Sequence, residues 1–376
     1  MKQSFLIIFV YNSDKSINCT VMNNRFKFRS LATICLLLFI SYNAASQIDN
    51  YDFLRAGVND ASKITEAYTA PWANAFGAGA NGSWYNTAKP HKFGGFDLTL
   101  GFNVGMVPSS DDTYDVSKIG LTDFTGSGMA PTISGPNTSG PTLTSKPVSG
   151  IAPVTFQTPP GTDWKYMPVP TLQAGIGLPF GTELKIRYIP KISISDGDIS
   201  SWGIGLVHSI MQYIPGNELL PFDVSLFGGY TKLTGNVPID LKPGTPQFYS
   251  SKYPSTAWDN QNFEMIAQAW NISAIASLNL PVFTLYGGLG YSSTATNINM
   301  TGNFPMPTLN PTLSTTSYVY EDAGVVKDFP TIDIKNYSGL RANAGFRLKF
   351  AVVTFHADYT WAQYSVVSTG LGISFR

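Results

Sequence analysis

The chain has 376 residues, 24 Lys+Arg against 24 Asp+Glu, and only 13% charged residues beside 13% aromatics, 35 glycines and 25 prolines. A soluble domain carries about 25% charge. A helical membrane protein needs about 20 consecutive apolar residues per span, a pattern that a mean hydropathy of +0.02 does not support. What remains is a chain of alternating strands with one face in lipid and one toward a wet lumen. The balanced charge leaves no footprint for nucleic acid.

The first element reads as an export signal. Met22 opens a segment with Arg25, Lys27 and Arg29, the apolar run Leu31 to Ile40 follows, and Ala44-Ala45-Ser46 offers a peptidase site before Gln47. The residues ahead of Met22 read as an upstream extension from a misassigned start. Residues 1–47 are thus the expected leader, with the signal proper over 22–46. Cys19 and Cys35 both precede the cut, so the mature chain has no thiol for disulfides, catalysis or metal binding.

Residues 48–91 form the second region. Leu54, Val58, Ala61, Ile64 and Tyr68 recur at helical spacing and predict a helix over 49–70, capped by Asp49 or Asn50 and stopped by Pro71. It suits a lid beneath a barrel, a plug within it, or a packing strut.

From residue 92 to the end the period is two. Leu340, Ala342, Ala344, Phe346, Leu348 and Phe350 share one parity, while Arg341, Asn343, Arg347 and Lys349 share the other. Strands are expected near 93–107, 167–178, 182–194, 199–212, 222–235, 262–279, 282–297, 337–349, 351–361 and 365–376. Short connections such as Leu178-Pro179-Phe180 and Leu280-Pro281-Val282-Phe283 alternate with long ones at 108–166, 193–199, 235–261 and 298–335. The expected fold is therefore all-β, a transmembrane antiparallel barrel of 10 to 14 strands with a short N-terminal helix. Tyr188, Trp202, Tyr213, Tyr230 and Trp361 fall at strand ends, where membrane interfaces would hold them.

A charged side chain facing mid-bilayer lipid costs about 2–4 kcal/mol. Asp97, Glu183, Lys185, Arg187, Asp223, Arg341, Arg347, Lys349, His356 and Asp358 are therefore expected to face the lumen. In an open lumen they would set solute preference; a ten-stranded barrel is narrow, which favours a paired, interior-filling network. His356 and Asp358 share this parity without a spacing that implies a catalytic triad. Neither metal-ligand spacing nor a phosphate loop is present, so no cofactor is expected.

The last strand sets Leu371, Ile373 and Phe375 against Gly370, Gly372 and Ser374. This ending resembles the β-signal read by the outer-membrane assembly machinery. The stretch SWYNTAKPHKFGGFDLT (Ser83 to Thr99) resembles a family of uncharacterised outer-membrane β-barrels, a domain of unknown function. Asn74 to Gly79, Asn-Ala-Phe-Gly-x-Gly, is similar to the N-terminal region of the long-chain fatty acid porin family, whose members take up hydrophobic compounds through plugged barrels. These resemblances imply a Gram-negative outer-membrane protein whose partners are outer-membrane lipid and lipopolysaccharide. The leading expectation is a channel or transporter for a small or hydrophobic solute. The alternatives are a non-transporting barrel acting through its loops and, third, a barrel enzyme.

Overall fold

The computed structural model describes residues 57–147, 153, 155–194, 197–216, 220–239, 255–305 and 325–375. The signal segment and Leu54 lie outside the described residues. Ten strands close a barrel: β1 (Phe96–Met106), β2 (Tyr166–Leu178), β3 (Thr182–Ile194), β4 (Gly197–Ser209), β5 (Phe222–Ile239), β6 (Gln261–Asn279), β7 (Phe283–Thr301), β8 (Ile332–Phe350), β9 (Val353–Trp361) and β10 (Val366–Phe375). Each pairs antiparallel with its neighbour in sequence, and β1 pairs with β10 to close the ring, Phe96 opposite Phe375. Closure leaves no edge strand, which a spanning sheet requires in lipid.

All ten expected strands form. Parity sorts them by face: along β10 every second residue from Val366 is buried, and those between are exposed apart from the half-buried Thr369. Tight turns close one end of the barrel at residues 179–181, 280–282 and 351–352, where Phe180 and Gly181 at φ of 60° and 57° supply the left-handed pair a two-residue hairpin needs. Two connections differ from expectation. Across 193–199 the strands stay paired as far as Ile194 opposite Gly197, and 210–221, on the tight-turn end, carries a short 3-10 turn at Met211–Tyr213.

The outward face has a sharp upper limit. Along β5, Phe222, Val224, Leu226 and Tyr230 face outward, followed by Lys232, Thr234 and Asn236. Tyr188, Trp202, Tyr230, Trp270 and Tyr291 form a band on adjacent strands, with ring centroids 5.4 Å apart for Trp202–Tyr230 and 5.8 Å for Trp270–Tyr291. From Phe222 to Tyr230 is about 26 Å of strand, which the tilt of such barrels brings to roughly the height of a bilayer's apolar band. Beyond the band, β5 to β8 continue as a raised wall whose outer surface is polar. There Asn299 donates to Glu264 at 2.9 Å and Asn297 to Asp333 at 2.7 Å.

Among the described residues one α-helix, α1 (Gly57–Ala80), lies inside the barrel, packed against β1, β2, β5, β6, β7 and β8. The expected stop at Pro71 does not hold: α1 runs nine residues past it. An interior proline costs roughly 3 kcal/mol, but Pro71, Ala73, Ala75, Phe76, Ala78 and Ala80 are all buried against the strands, and that packing outweighs the lost bond. The region is accordingly neither beneath the barrel nor a short strut. It fills the lumen.

Candidate functional site: the plug and its seat

The long connection 107–165 folds over the long-loop end as two small sheets, 113–115 with 129–131, and 124–125 with 142–145 and 155–157. The first half of α1 lies between this lid and the raised wall. Ile64 packs with Val116, Phe124, Ala130, Leu143 and Phe156 of the lid. Ala61 and Ala73 pack with Ile298, Met300, Phe304, Phe329, Ile332 and Ile334, with Val58 alongside. Tyr68 donates its hydroxyl to Pro160 O at 2.8 Å.

Asp60 latches helix to lid. Its Oδ1 accepts from Thr122 N at 2.7 Å and Thr122 Oγ1 at 2.8 Å; its Oδ2 accepts from Asp123 N at 2.8 Å and Phe124 N at 3.0 Å. Burial opposes its charge, but these four donors more than offset that and hold the carboxyl below its ordinary value. The latch is therefore complete above the ordinary carboxylate pKa, about 4, and is lost as pH falls through the lowered one. In Asp60→Asn the amide replaces a two-oxygen acceptor, at a cost of about 2 kcal/mol. The expected result is that protease nicks the 107–165 lid of the variant at neutral pH, whereas the native lid becomes sensitive only in acid. Equal nicking of both at pH 7 would remove Asp60 from this role.

At the middle of the barrel the helix ends. Asn81 N and Gly82 N bond back to Ala78 O and Gly79 O, and Ser83 takes a left-handed φ of 53°, an arrangement that commonly terminates helices. Two buried arginines clamp this end. Arg187 donates to Ala80 O at 2.9 Å and Gly82 O at 2.6 Å, and Arg341 donates to Asn81 O at 3.0 Å. The helix directs the negative end of its dipole at both guanidiniums. Arg187 also donates to Gln173 at 3.0 Å and stacks 3.7 Å over the Trp84 ring.

The segment 81–91 then descends toward the tight turns. On one side Trp84, Tyr85 and Ala88 pack with Val207, Phe227, Ile275 and Tyr286. On the other side lie polar groups. Tyr85 donates to Asn343 at 2.7 Å, and Ser83 Oγ lies 3.2 Å from His356 Nε2. Among the described residues, the side chains of Asn103 and Ser368 and His356 Nδ1 meet no hydrogen-bond partner, and such buried groups are ordinarily satisfied by water. His356 does not pair with Asp358, whose Oδ2 instead accepts from Tyr286 at 2.9 Å. Among the described residues, no carboxylate is hydrogen-bonded to the His356 ring beside Ser83.

At the tight-turn rim, His91 Nδ1 lies 2.9 Å from Glu183 Oε2 and 3.7 Å from Asp97, while its Nε2 meets Ser374 Oγ at 3.0 Å. Lys185 stands 2.5 Å from Glu183 and 3.8 Å from Asp97. His91, Asp97 and Glu183 have ligand atoms within 4.8 Å of one another. The Lys185 ammonium already supplies the countercharge there, so a divalent cation would have to displace it. Sequence spacing did not reveal this cluster, because β1, β3 and the plug meet only in the closed barrel.

The ten charges expected in the lumen divide by depth. Asp97, Glu183, Lys185, Arg187, Arg341, Arg347, His356 and Asp358 are buried. Asp223 and Lys349 are half-buried, and Asp223 accepts from Asn279 at 2.7 Å and lies 3.8 Å from Lys89. Leu371, Ile373 and Phe375 face outward, Phe375 stacked on Phe96 at 4.9 Å.

Closed, edgeless, lipid-sized and polar within, the fold is that of outer-membrane β-barrels. A family of unknown function, DUF6588, matches residues 24–375, and the chain belongs to that family. No curated protein matches. Among solved structures, the chain is similar to the translocator domain of the autotransporter NalP from Neisseria meningitidis (12% identity, 84% of this chain and 98% of that one, TM-score 0.27). It is also similar to Ail, the attachment invasion locus protein of Yersinia pestis (8%, 75% and 98%, 0.24), and to a Pseudomonas aeruginosa FadL homologue (10%, 80% and 96%, 0.20).

Proposed function

We propose that this protein is a plugged outer-membrane channel that passes a small solute when its plug yields. The observation that carries the reading is the seating of α1 and 81–91: the segment joins the barrel covalently only at β1 and is otherwise held by side-chain contacts, hydrogen bonds and ion pairs. An α-helix with its side chains is about 10 Å across, so withdrawal would leave a bore of that order. Arg187, Arg341, Arg347, Lys185, Glu183 and Asp358 would line it, which favours a polar or charged solute over a hydrophobic one.

On this reading the protein is not an enzyme and needs no cofactor. It is exported by the 22–46 signal, assembled through the β10 strand bearing Leu371, Ile373 and Phe375, and surrounded by outer-membrane lipid and lipopolysaccharide. The test is conductance in planar bilayers. The full mature chain should be nearly silent, and a chain lacking 57–91 should conduct steadily. Silence from a folded deletion barrel, shown by heat-dependent migration on a gel, would overturn the channel reading.

A further inference from the structure

The direction in which α1 enters the barrel has a topological consequence. The latch at Asp60 is made to the lid, and Ala61 sits among Met300, Phe304, Phe329 and Ile332 of the raised wall, all at the long-loop end. Thirty-one residues later His91 lies at the opposite rim against Glu183 and Ser374, and the chain turns into β1 there, with Gly94 N bonded to Gly177 O at 3.1 Å. A 24-residue helix covers about 36 Å, and segment 81–91 covers the rest.

We infer that the plug is threaded from the outside inward, with its first turn on the cell surface and its last residues at the periplasmic rim. The assignment of ends follows from the connections. Outer-membrane barrels keep short turns in the periplasm and long loops outside, and the polar outer surface of the wall begins above the aromatic band on the long-loop side. The inference rests on the outer-membrane placement but not on conduction. Its consequence is that the plug can be reached, and its latch contacted, by molecules outside the cell.

The absence of cysteine after residue 35 makes the test clean. Asn59, Lys92 and Ser139 are exposed, near the start of α1, at the tight-turn rim and in the lid respectively. Single variants Asn59→Cys, Lys92→Cys and Ser139→Cys would be treated on intact cells with a membrane-impermeant maleimide of about 5 kDa, then again after permeabilising the outer membrane. The expected result is labelling of Asn59→Cys and Ser139→Cys on intact cells at least tenfold above Lys92→Cys, which labels fully only after permeabilising. Labelling of Ser139→Cys with Asn59→Cys protected until permeabilisation would overturn the inference while leaving the barrel's orientation intact. Protection of both Asn59→Cys and Ser139→Cys, with Lys92→Cys labelled, would overturn it together with the placement of the long loops outside.

Discussion

Gly105→Val should prevent the plug from seating. Gly105 faces the lumen from β1, and a Cβ added there would lie 2.0 Å from the backbone oxygen of Ala75. A backbone carbonyl cannot rotate away as a side chain can, so the whole helix would have to retreat. It has nowhere to go: Gly77 of α1 already lies so close to Thr294 that a Cβ would sit 2.7 Å from it, and Phe76 and Ala80 pack on Leu233, Ala267 and Ala269. Overpacking of a filled interior costs about 1–3 kcal/mol and more where the backbone must move. Gly228→Val is the matched control, since a Cβ there meets nothing within 4 Å. In a bilayer, Gly105→Val should conduct where the native chain and Gly228→Val are silent, and its gel-shift transition should move to lower temperature. If both variants behave alike, α1 is not held at this contact.

That contact also shows where the sequence stopped being informative. The barrel was legible because lipid on one side and protein on the other impose a strict period of two, and all ten strands followed from it. The first half of α1 was legible for a related reason: Val58, Ala61, Ile64 and Tyr68 meet the wall and the lid at helical spacing. The second half was not. Residues 73–80 are buried on every side, so no polar face marks the helix, and Pro71 in a stretch rich in alanine and glycine reads locally as a stop. Nor could periodicity say which strand lies beside which part of the plug. Asp60 and Gly105 drew no notice in that reading, and His91 entered it without a partner, because their partners are 62, 30 and 92 residues away in sequence.

The lumen charges were predicted as a class, whereas their work is individual. His91 ties the end of the plug to the rim through its backbone N and its ring, both on Glu183, whose charge Lys185 balances. Arg187 and Arg341 have no carboxylate among the partners described above and bind backbone oxygens instead. A guanidinium is suited to this because its donors are several, fixed in a plane and weakly hydrated.

Replacing that pair should accordingly have the largest effect on gating. In Arg187→Ala/Arg341→Ala, the oxygens of Ala80, Asn81 and Gly82 lose the donors that now meet them. Each buried acceptor so abandoned costs about 1–3 kcal/mol, and the plug also loses the positive charges facing its dipole. Part of this is returned because two guanidiniums no longer need to be desolvated. A net loss of about 3 kcal/mol in seating is expected, close to a hundredfold shift toward the unseated plug at 1.4 kcal/mol per decade. Single-channel recording should show it as frequent openings in the double variant and rarer ones in each single variant. Arg187→Lys should resemble Arg187→Ala more than the native protein, because one ammonium cannot reproduce the planar fork that spans Ala80 and Gly82 while stacking on Trp84. A double variant as silent as the native chain, with its plug still protected from protease, would show that the apolar contacts of Trp84, Tyr85 and Ala88 hold the plug without the arginines.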